Sequence, residues 1–178
     1  KNYKKLFTFQ KLCCIIKLKI EETIGYISIP EIQVYLPIYQ GINKEILNSG
    51  VGHIEKTSLP VGGKNTHSVL AGHSGLARTK IFDDIDKLKI GDRFYIHVLD
   101  GILIYQVDKI DVVKPDDTDT IKVEEDKDYV TLVTCTPRKK NTHRLLVRGT
   151  RVEKTKEINS IEQSIQSKQE PTIQELKT

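Results

Sequence analysis

Short apolar runs separated by turn residues make up the chain between residues 24 and 152. Alternating or β-branched runs bounded by Gly, Pro, Asn or Asp are typical of strands. Such runs predict strands at residues 24–30, 34–40, 67–71, 93–99, 102–113, 129–134 and 145–147. Seven or eight short strands with regular turn signals predict a closed, mostly antiparallel β-barrel.

Three local signals predict how the strands are connected. Asp100-Gly101 lies between two strand-like runs and predicts a hairpin. Asn43 can cap a short helix over residues 44–48, and Gly50 is predicted to end that helix in the left-handed conformation. Residues 77–88 have apolar residues at helical spacing, which predicts another short helix.

The barrel segment is flanked by two stretches of different character. Residues 1–23 are basic and apolar without a clean period, and we predict an N-terminal arm or lid region there. Residues 153–178 are polar, which predicts a solvated helix or a disordered tail. No apolar run reaches the roughly 18–20 residues that span a bilayer. Because the first residue is Lys, we expect a processed or trimmed chain, and membrane anchors outside the given ends stay open.

Composition excludes several classes of function. The 178 residues, 38% of them hydrophobic, fit one domain with tails. The net charge of +4 is mild and no basic block is interleaved with aromatic residues, so we predict no nucleic-acid partner. Cys13 and Cys14 are adjacent and the third cysteine, Cys135, stands alone, so we predict neither a disulfide framework nor a metal site.

Candidate chemistry is concentrated in residues 129–151. A strand-like run ends at Cys135, the chain breaks at Pro137, and a second apolar run is headed by Arg144. A thiolate nucleophile is favoured by a fixed cation, and the arginine fork can hold a developing oxyanion. The alternative interpretation is a small core cysteine followed by a surface arginine. These residues alone leave both interpretations open.

A cysteine nucleophile also needs a proton donor and acceptor, for which histidine is the usual residue. His73 follows an apolar strand and lies between Gly72 and Ser74-Gly75, where the backbone can open at the mouth of a cleft. It is therefore the candidate base. The other four histidines, which have more ordinary strand or surface positions, are His53, His67, His97 and His143.

Three motifs in order resemble the sortase transpeptidases: Leu-Ala-Gly-His-Ser-Gly at residues 70–75, Thr-Leu-Val-Thr-Cys-Thr-Pro at 131–137, and Asn-Thr-His-Arg-Leu-Leu-Val-Arg-Gly-Thr-Arg at 141–151. Residues 58–68 and 141–151 resemble the class C, pilus-assembling branch in particular. The resemblance extends over residues 24–152. It implies an eight-stranded sortase-type β-barrel with short connecting helices and an N-terminal arm.

The resemblance also implies a mechanism and a location. Cys135 would be the nucleophile, His73 the acid and base, and Arg144 the group that holds the carbonyl oxygen. Ser74 and Thr134 are candidate substrate-binding residues. The expected reaction cuts a Leu-Pro-x-Thr-Gly-like sorting signal between Thr and Gly and joins the acyl group to an amine. The expected location is the extracellular face of a Gram-positive cell membrane, with membrane anchoring through segments outside the given ends.

The expected partners are a pilin or surface-protein sorting signal and an amine acceptor, either a pilin lysine or a peptidoglycan peptide. No cofactor is required. Class C enzymes usually have an Asp-Pro-aromatic lid motif, which is absent from this sequence. Two interpretations of the basic loop at residues 138–140 are considered: support of the thiolate, or a solvated loop. The alternative functions are a housekeeping-type sortase, a hydrolytic cysteine peptidase and a non-catalytic peptide-binding barrel.

Overall fold

The computed structural model describes residues 23–75, 81–98, 101–138 and 140–153. The strands in these ranges are β1 (Thr23–Ile29), β2 (Val34–Gln40), β3 (Val51–His53), β4 (Thr66–Ala71), β5 (Arg93–Val98), β6 (Gly101–Val113), β7 (Asp128–Thr136) and β8 (His143–Val152). They close into a barrel in the order β1-β2-β3-β4-β7-β8-β6-β5. The predicted closed β-barrel is confirmed. The predicted arm and tail lie outside the described residues, except for their boundary residues Thr23 and Glu153.

Most neighbouring strands in the barrel are antiparallel, as predicted. The pairs β2-β3 and β4-β7 are parallel. The β4-β7 pair determines where the candidate residues lie, because two parallel strands point their carboxyl ends toward the same edge of the sheet. Cys135 and the residues after β4 are therefore brought to one end of the barrel.

The predicted hairpin and the first predicted helix are present. Strands β5 and β6 pair antiparallel from Val98–Gly101 onwards. Helix α1 (Lys44–Ser49) begins after Asn43, whose side chain accepts a hydrogen bond from the Ile46 N–H at 2.9 Å. The prediction of a left-handed Gly50 is wrong, because its φ of 176° is extended. Glycine is needed there for space, since a Cβ would lie 2.6 Å from the Pro37 carbonyl oxygen.

The predicted helix over residues 77–88 is not formed in its described part, residues 81–88, which contains turns and one short 3-10 helix, Ile85–Lys87. The apolar residues that suggested a helix are all buried; they are Ile81, Phe82, Ile85 and Leu88. The helical spacing of these residues therefore indicated that they are buried against the barrel core, and it did not indicate a continuous helix. Two further 3-10 helices occur at Pro30–Ile32 and Asp119–Ile121.

Alternation along the strands sorts side chains between the barrel interior and its outer surface. The interior contains apolar side chains from strands on every side, among them Ile27, Phe94, Tyr105, Leu132 and Val147. No helix among the described residues is both long and apolar enough to cross a membrane.

Candidate active site

Two of the three predicted catalytic residues pair across neighbouring strands, and the third follows the strand next to them; we call His73, Cys135 and Arg144 the row. Cys135 on β7 pairs directly with Arg144 on β8. Ala71, the last residue of β4, pairs with Val133, so His73 and Cys135 each lie two residues beyond a paired position. The Gly72 N–H donates to the Val133 carbonyl at 3.0 Å, so the two chains are still paired one residue beyond β4. The fold therefore brings together residues that lie up to 71 positions apart in the sequence.

The Cys135 and Arg144 side chains are on the same face of the sheet. Leu132 and Leu145 belong to the interior core, and alternation along β7 and β8 puts Cys135 and Arg144 on the opposite, outer face. Cys135 is half-buried and its thiol is free of any disulfide. His73 and Arg144 are half-buried as well. A partly exposed thiol that shares its sheet face with an arginine is compatible with a reactive cysteine.

Two side-chain hydrogen bonds continue the pairing of β4 and β7 around this row. The Thr134 hydroxyl donates to the Gly72 carbonyl at 2.8 Å, and the Ser74 hydroxyl donates to the Cys135 carbonyl at 2.9 Å. Thr134 is thus bonded to Gly72, the residue before His73, and Ser74, the residue after His73, is bonded to Cys135. Both hydroxyl protons are used within the protein, and a substrate contact for Ser74 and Thr134 stays a prediction.

Arg144 is anchored to the backbone of its own loop. Its Nη1 donates to the carbonyl oxygens of Asn141 at 3.2 Å and His143 at 3.0 Å. Among the described residues no carboxylate forms a salt bridge with it. The remaining N–H groups of the guanidinium are thus available for an external acceptor, in a fixed orientation.

The row next to the candidate residues is apolar. Ala71, Val133 and Leu146 pair across β4, β7 and β8 and share the outer face with Cys135. Ala71 and Val133 are half-buried, and Leu146 is 6% exposed. The sequence interpretation did not single out these residues, although counting back two positions from His73 and Cys135 would have found Ala71 and Val133. The row forms an apolar floor beside the thiol.

Further along the same face, the connection between β6 and β7 covers the sheet. His67 is 1% exposed; its Nδ1 lies 2.8 Å from the Lys122 carbonyl oxygen and its Nε2 lies 2.7 Å from the Thr131 hydroxyl. Arg148 pairs with Asp108 through two nitrogens, at 3.0 and 2.9 Å, and with Glu124 at 3.3 Å. The open part of this outer face, where Cys135 lies, therefore ends at the β6-β7 connection.

His67 is unsuited to replace His73 as a proton carrier. Burial lowers its pKa below the ordinary value of 6.5, and the nearby Arg148 lowers it further, although the hydrogen bond to Lys122 opposes the shift. Its ring is enclosed on the edge of Tyr129, with centroids 5.4 Å apart. The imidazole is thus neutral and closed off from solvent at neutral pH.

The other histidines are outside the row. His53 is buried, with its Nε2 2.9 Å from the Ser58 carbonyl oxygen. His97 lies on β5, with its Nε2 2.9 Å from the Ser28 hydroxyl. His143 lies beside Arg144 on β8, so its side chain points to the opposite face. His73 is the histidine whose neighbour, Ser74, bonds to the Cys135 carbonyl.

The charged loops that the sequence offered have other contacts. Arg138 is turned toward Asp83, Asp84 and Asp86. In the acidic connection, Asp119 pairs with Lys122 at 2.6 Å. No group of three or more His, Cys, Asp or Glu side chains within the described ranges is arranged to hold a metal ion.

Comparison with known proteins identifies the family. The Sortase domain family matches residues 27–152, which covers the barrel, and the chain therefore belongs to the sortase family. Sortase A of Bacillus anthracis is 33% identical over 129 residues, covering 72% of this chain and 60% of that protein. The chain thus spans about three fifths of the length of the curated relatives it matches.

The similar solved structures are sortase C proteins, which confirms the resemblance to class C. Sortase C of Streptococcus pneumoniae, whose structure was described for catalysis and pilin substrate specificity, is 50% identical, with a TM-score of 0.74, covering 75% of this chain and 70% of that chain. The pilus-related sortase C of Group B Streptococcus is also 50% identical, with a TM-score of 0.73, covering 74% of this chain and 68% of that one.

Proposed function

We propose that this chain is the catalytic domain of a cysteine transpeptidase that cuts a Leu-Pro-x-Thr-Gly-like sorting signal between Thr and Gly and transfers the acyl group to an amine. The observation that carries the proposal is the direct pairing of Cys135 with Arg144, together with the Ser74 hydroxyl, next to His73, donating to the Cys135 carbonyl. Family membership supports the reaction class, and the half-buried apolar floor beside Cys135 offers a surface for the apolar residues of such a signal.

The first half of the reaction forms a thioester. The Cys135 thiolate attacks the carbonyl carbon of the substrate threonine, and the Arg144 guanidinium stabilises the charge that develops on the carbonyl oxygen. The tetrahedral intermediate then collapses: the C–N bond to glycine breaks while His73 gives its proton to the leaving amine. The products are an acyl-enzyme and a peptide with a free N-terminal glycine.

The second half transfers the acyl group. His73, now neutral, accepts a proton from the incoming amine as its nitrogen attacks the thioester carbon. A new C–N bond forms, the C–S bond breaks, and the thiolate–imidazolium pair is restored. No cofactor enters these steps.

The proposed acceptor is a pilin lysine, and the proposed setting is pilus assembly on the extracellular face of a Gram-positive cell membrane. This rests on the roughly 50% identity to sortase C structures, one of which is named pilus-related. An ε-amino group would give an isopeptide bond between successive pilins.

Mass spectrometry of a sorting-signal peptide incubated with the protein tests the reaction. The expected result is an adduct on Cys135 and, with a lysine-containing acceptor peptide, a joined product. Cys135→Ala should give neither product and should stay folded, because one thiol lost at a strand end leaves a small cavity. Lys140→Met, an exposed change in the next loop, is the matched control and should keep activity.

The choice of acceptor separates the alternatives. A product joined to a peptidoglycan-type amine but not to the lysine peptide would indicate a housekeeping role. Release of the free acid alone would indicate a peptidase. Binding of the peptide without any adduct would indicate a non-catalytic barrel. The first of these results would refute the proposed lysine acceptor, and the other two would refute the proposed transpeptidase.

A further inference from the structure

Arg138, three residues after the nucleophile, reaches back to the segment that follows His73. Its Nη2 donates to the Asp83 carbonyl oxygen and lies 3.7 Å from Asp84 Oδ1 and 3.8 Å from Asp86 Oδ1. We call residues 83–86 the acidic turn. One guanidinium thus contacts a backbone carbonyl and two carboxylates of the same turn, which a planar fork of five donors suits.

The acidic turn is in turn bonded to the chain around His73. The Phe82 N–H, next to the turn, donates to the His73 carbonyl at 2.9 Å. The Gly75 N–H donates to Asp83 Oδ1 at 2.7 Å. Residues on both sides of Ser74 are therefore held by this turn, and any movement of the turn would be passed to the backbone of His73.

Ser74 completes a closed loop of contacts. Its hydroxyl donates to the Cys135 carbonyl at 2.9 Å. Arg138, which follows Cys135 in the chain, contacts the acidic turn. The turn and the adjacent Phe82 bond to Gly75 and His73, and Ser74 between these two residues bonds back to Cys135. The backbone pairing of β4 with β7 extends only to Gly72 and Val133 in the described structure. Beyond that point, side-chain contacts hold the two segments together.

We propose that Arg138 is a positioning residue, which ties the acidic turn to the segment after Cys135 and so fixes His73 relative to the thiol. The inference rests on the proposed function for its catalytic consequence. A direct effect of the Arg138 charge on the thiolate is a weaker explanation, because its guanidinium faces two carboxylates that compensate the charge.

The contact is suited to alignment more than to stability. The side chain of Arg138 is 50% exposed and that of Asp86 is 58% exposed, and exposed ion pairs contribute little to folding. Alignment is more sensitive, since small displacements of reacting groups change rates strongly. Replacement of Arg138 should therefore leave the barrel folded while the reaction slows.

The experiment compares Arg138→Met, Arg138→Lys and Lys140→Met. Lys140 is exposed in the same loop, so its substitution removes the same charge without touching the acidic turn. Two quantities are measured for each variant: kcat and KM with a sorting peptide, and the rate of Cys135 alkylation by iodoacetamide from pH 5 to 9. The Cys135 peptide is followed by mass spectrometry, because the chain has two other cysteines, Cys13 and Cys14.

For Arg138→Met we expect kcat to fall about tenfold with KM nearly unchanged, and Cys135 alkylation at a given pH to slow about threefold, because His73 is no longer held beside the thiol. Arg138→Lys should recover only part of the loss, because the ammonium is a compact charge on a flexible stem that does not place it where the guanidinium nitrogen lies. Lys140→Met should match the wild type in both measurements.

Asp86→Asn tests the same contact from the carboxylate side, whereas Asp84 also pairs with Lys87 at 3.0 Å. The Asp86→Asn change should slow the reaction by itself and add little in the Arg138→Met background, as expected for two residues acting through one contact. Wild-type behaviour of Arg138→Met, full recovery in Arg138→Lys, or an equal loss in Lys140→Met would overturn the inference. Alkylation needs no peptide, so an unchanged profile would overturn it even if the proposed peptide reaction failed.

Discussion

At the scale of single residues, backbone contacts orient one of the candidate side chains, Arg144. Its Nη1 is bonded to the carbonyl oxygens of Asn141 and His143. These bonds use one nitrogen of the guanidinium and leave the others for an external acceptor. The orientation of the guanidinium, and not its charge alone, is therefore expected to matter.

Replacement of Arg144 by Lys tests that orientation. The charge is kept, but the rigid planar fork is lost, in which one nitrogen bonds two loop carbonyls and the others can face an oxyanion, so we expect kcat/KM to fall by about 10²-fold. Steady-state kinetics with a sorting peptide measure the change. Arg93→Lys, on β5 away from the row, is the matched control and should keep wild-type kinetics. An Arg144→Lys enzyme as fast as the wild type would show that only a point charge is needed.

At the scale of elements, the connection between β6 and β7 is held against the sheet by contacts of the buried His67 and the half-buried Arg148. His67 bonds to Lys122 in this connection and to Thr131 on β7, while Arg148 reaches Glu124 and lies 4.1 Å from the centre of the Tyr129 ring. The neutral imidazole is part of this packing, so the stability of this region is linked to pH.

The sign of that linkage follows from the lowered pKa of His67. Between the folded pKa and the ordinary value of 6.5, the unfolded chain binds more protons than the folded one. The contribution of His67 is therefore complete above pH 6.5 and is lost as the pH falls below it, by at most about 1.4 kcal/mol per pH unit.

Urea unfolding of the wild type and His67→Gln from pH 8 to pH 5 measures this contribution. At pH 8 the free energy of unfolding should be higher for the wild type by an amount that reflects packing. Toward pH 5 the wild type should lose more stability than the variant, so the difference between the two free energies of unfolding should become smaller. Parallel curves over the whole range would show that His67 does not titrate differently in the folded and unfolded chain.

At the scale of the whole molecule, the barrel closes around a tightly packed interior. Phe94 on β5 stacks on Tyr105 on β6, with ring centroids 5.6 Å apart, and Gly149 on β8 leaves the space that these rings occupy. A Cβ at Gly149 would lie 2.5 Å from Phe94 Cε1 and 3.0 Å from Tyr105 Cβ. Closure thus requires that β8 have no side chain at this point.

Gly149→Ala should therefore lower the free energy of unfolding by about 1–3 kcal/mol, the usual effect of overpacking. Urea denaturation measures it. Gly101→Ala is the matched control, because its nearest contact would be the Val98 carbonyl oxygen at 3.9 Å, and it should change stability by less than about 0.5 kcal/mol. Equal effects at the two glycines would show that the interior relaxes around the added methyl group.

Local patterns predicted a large part of this structure. The β5-β6 hairpin, the Asn43 cap and the strand ending at Cys135 depend on neighbours in the sequence, and all three are confirmed. The helix predicted over residues 77–88 fails in its described part, because Phe82 is buried and its N–H is taken by the His73 carbonyl. Periodicity reports which side chains are buried but does not identify the partner that buries them.

The sequence by itself determined the strand runs, the turn chemistry and the types of residue present, because these follow from local sterics and alternation. It also placed His73, Cys135 and Arg144 at strand ends. Only the tertiary structure decided that these ends meet, because the parallel register of β4 and β7 joins residues more than 60 positions apart. The same holds for Arg138, whose exposed side chain contacts the acidic turn, a contact that the sequence did not predict. Such contacts depend on the path of the whole chain, which the local pattern of apolar and polar residues does not determine.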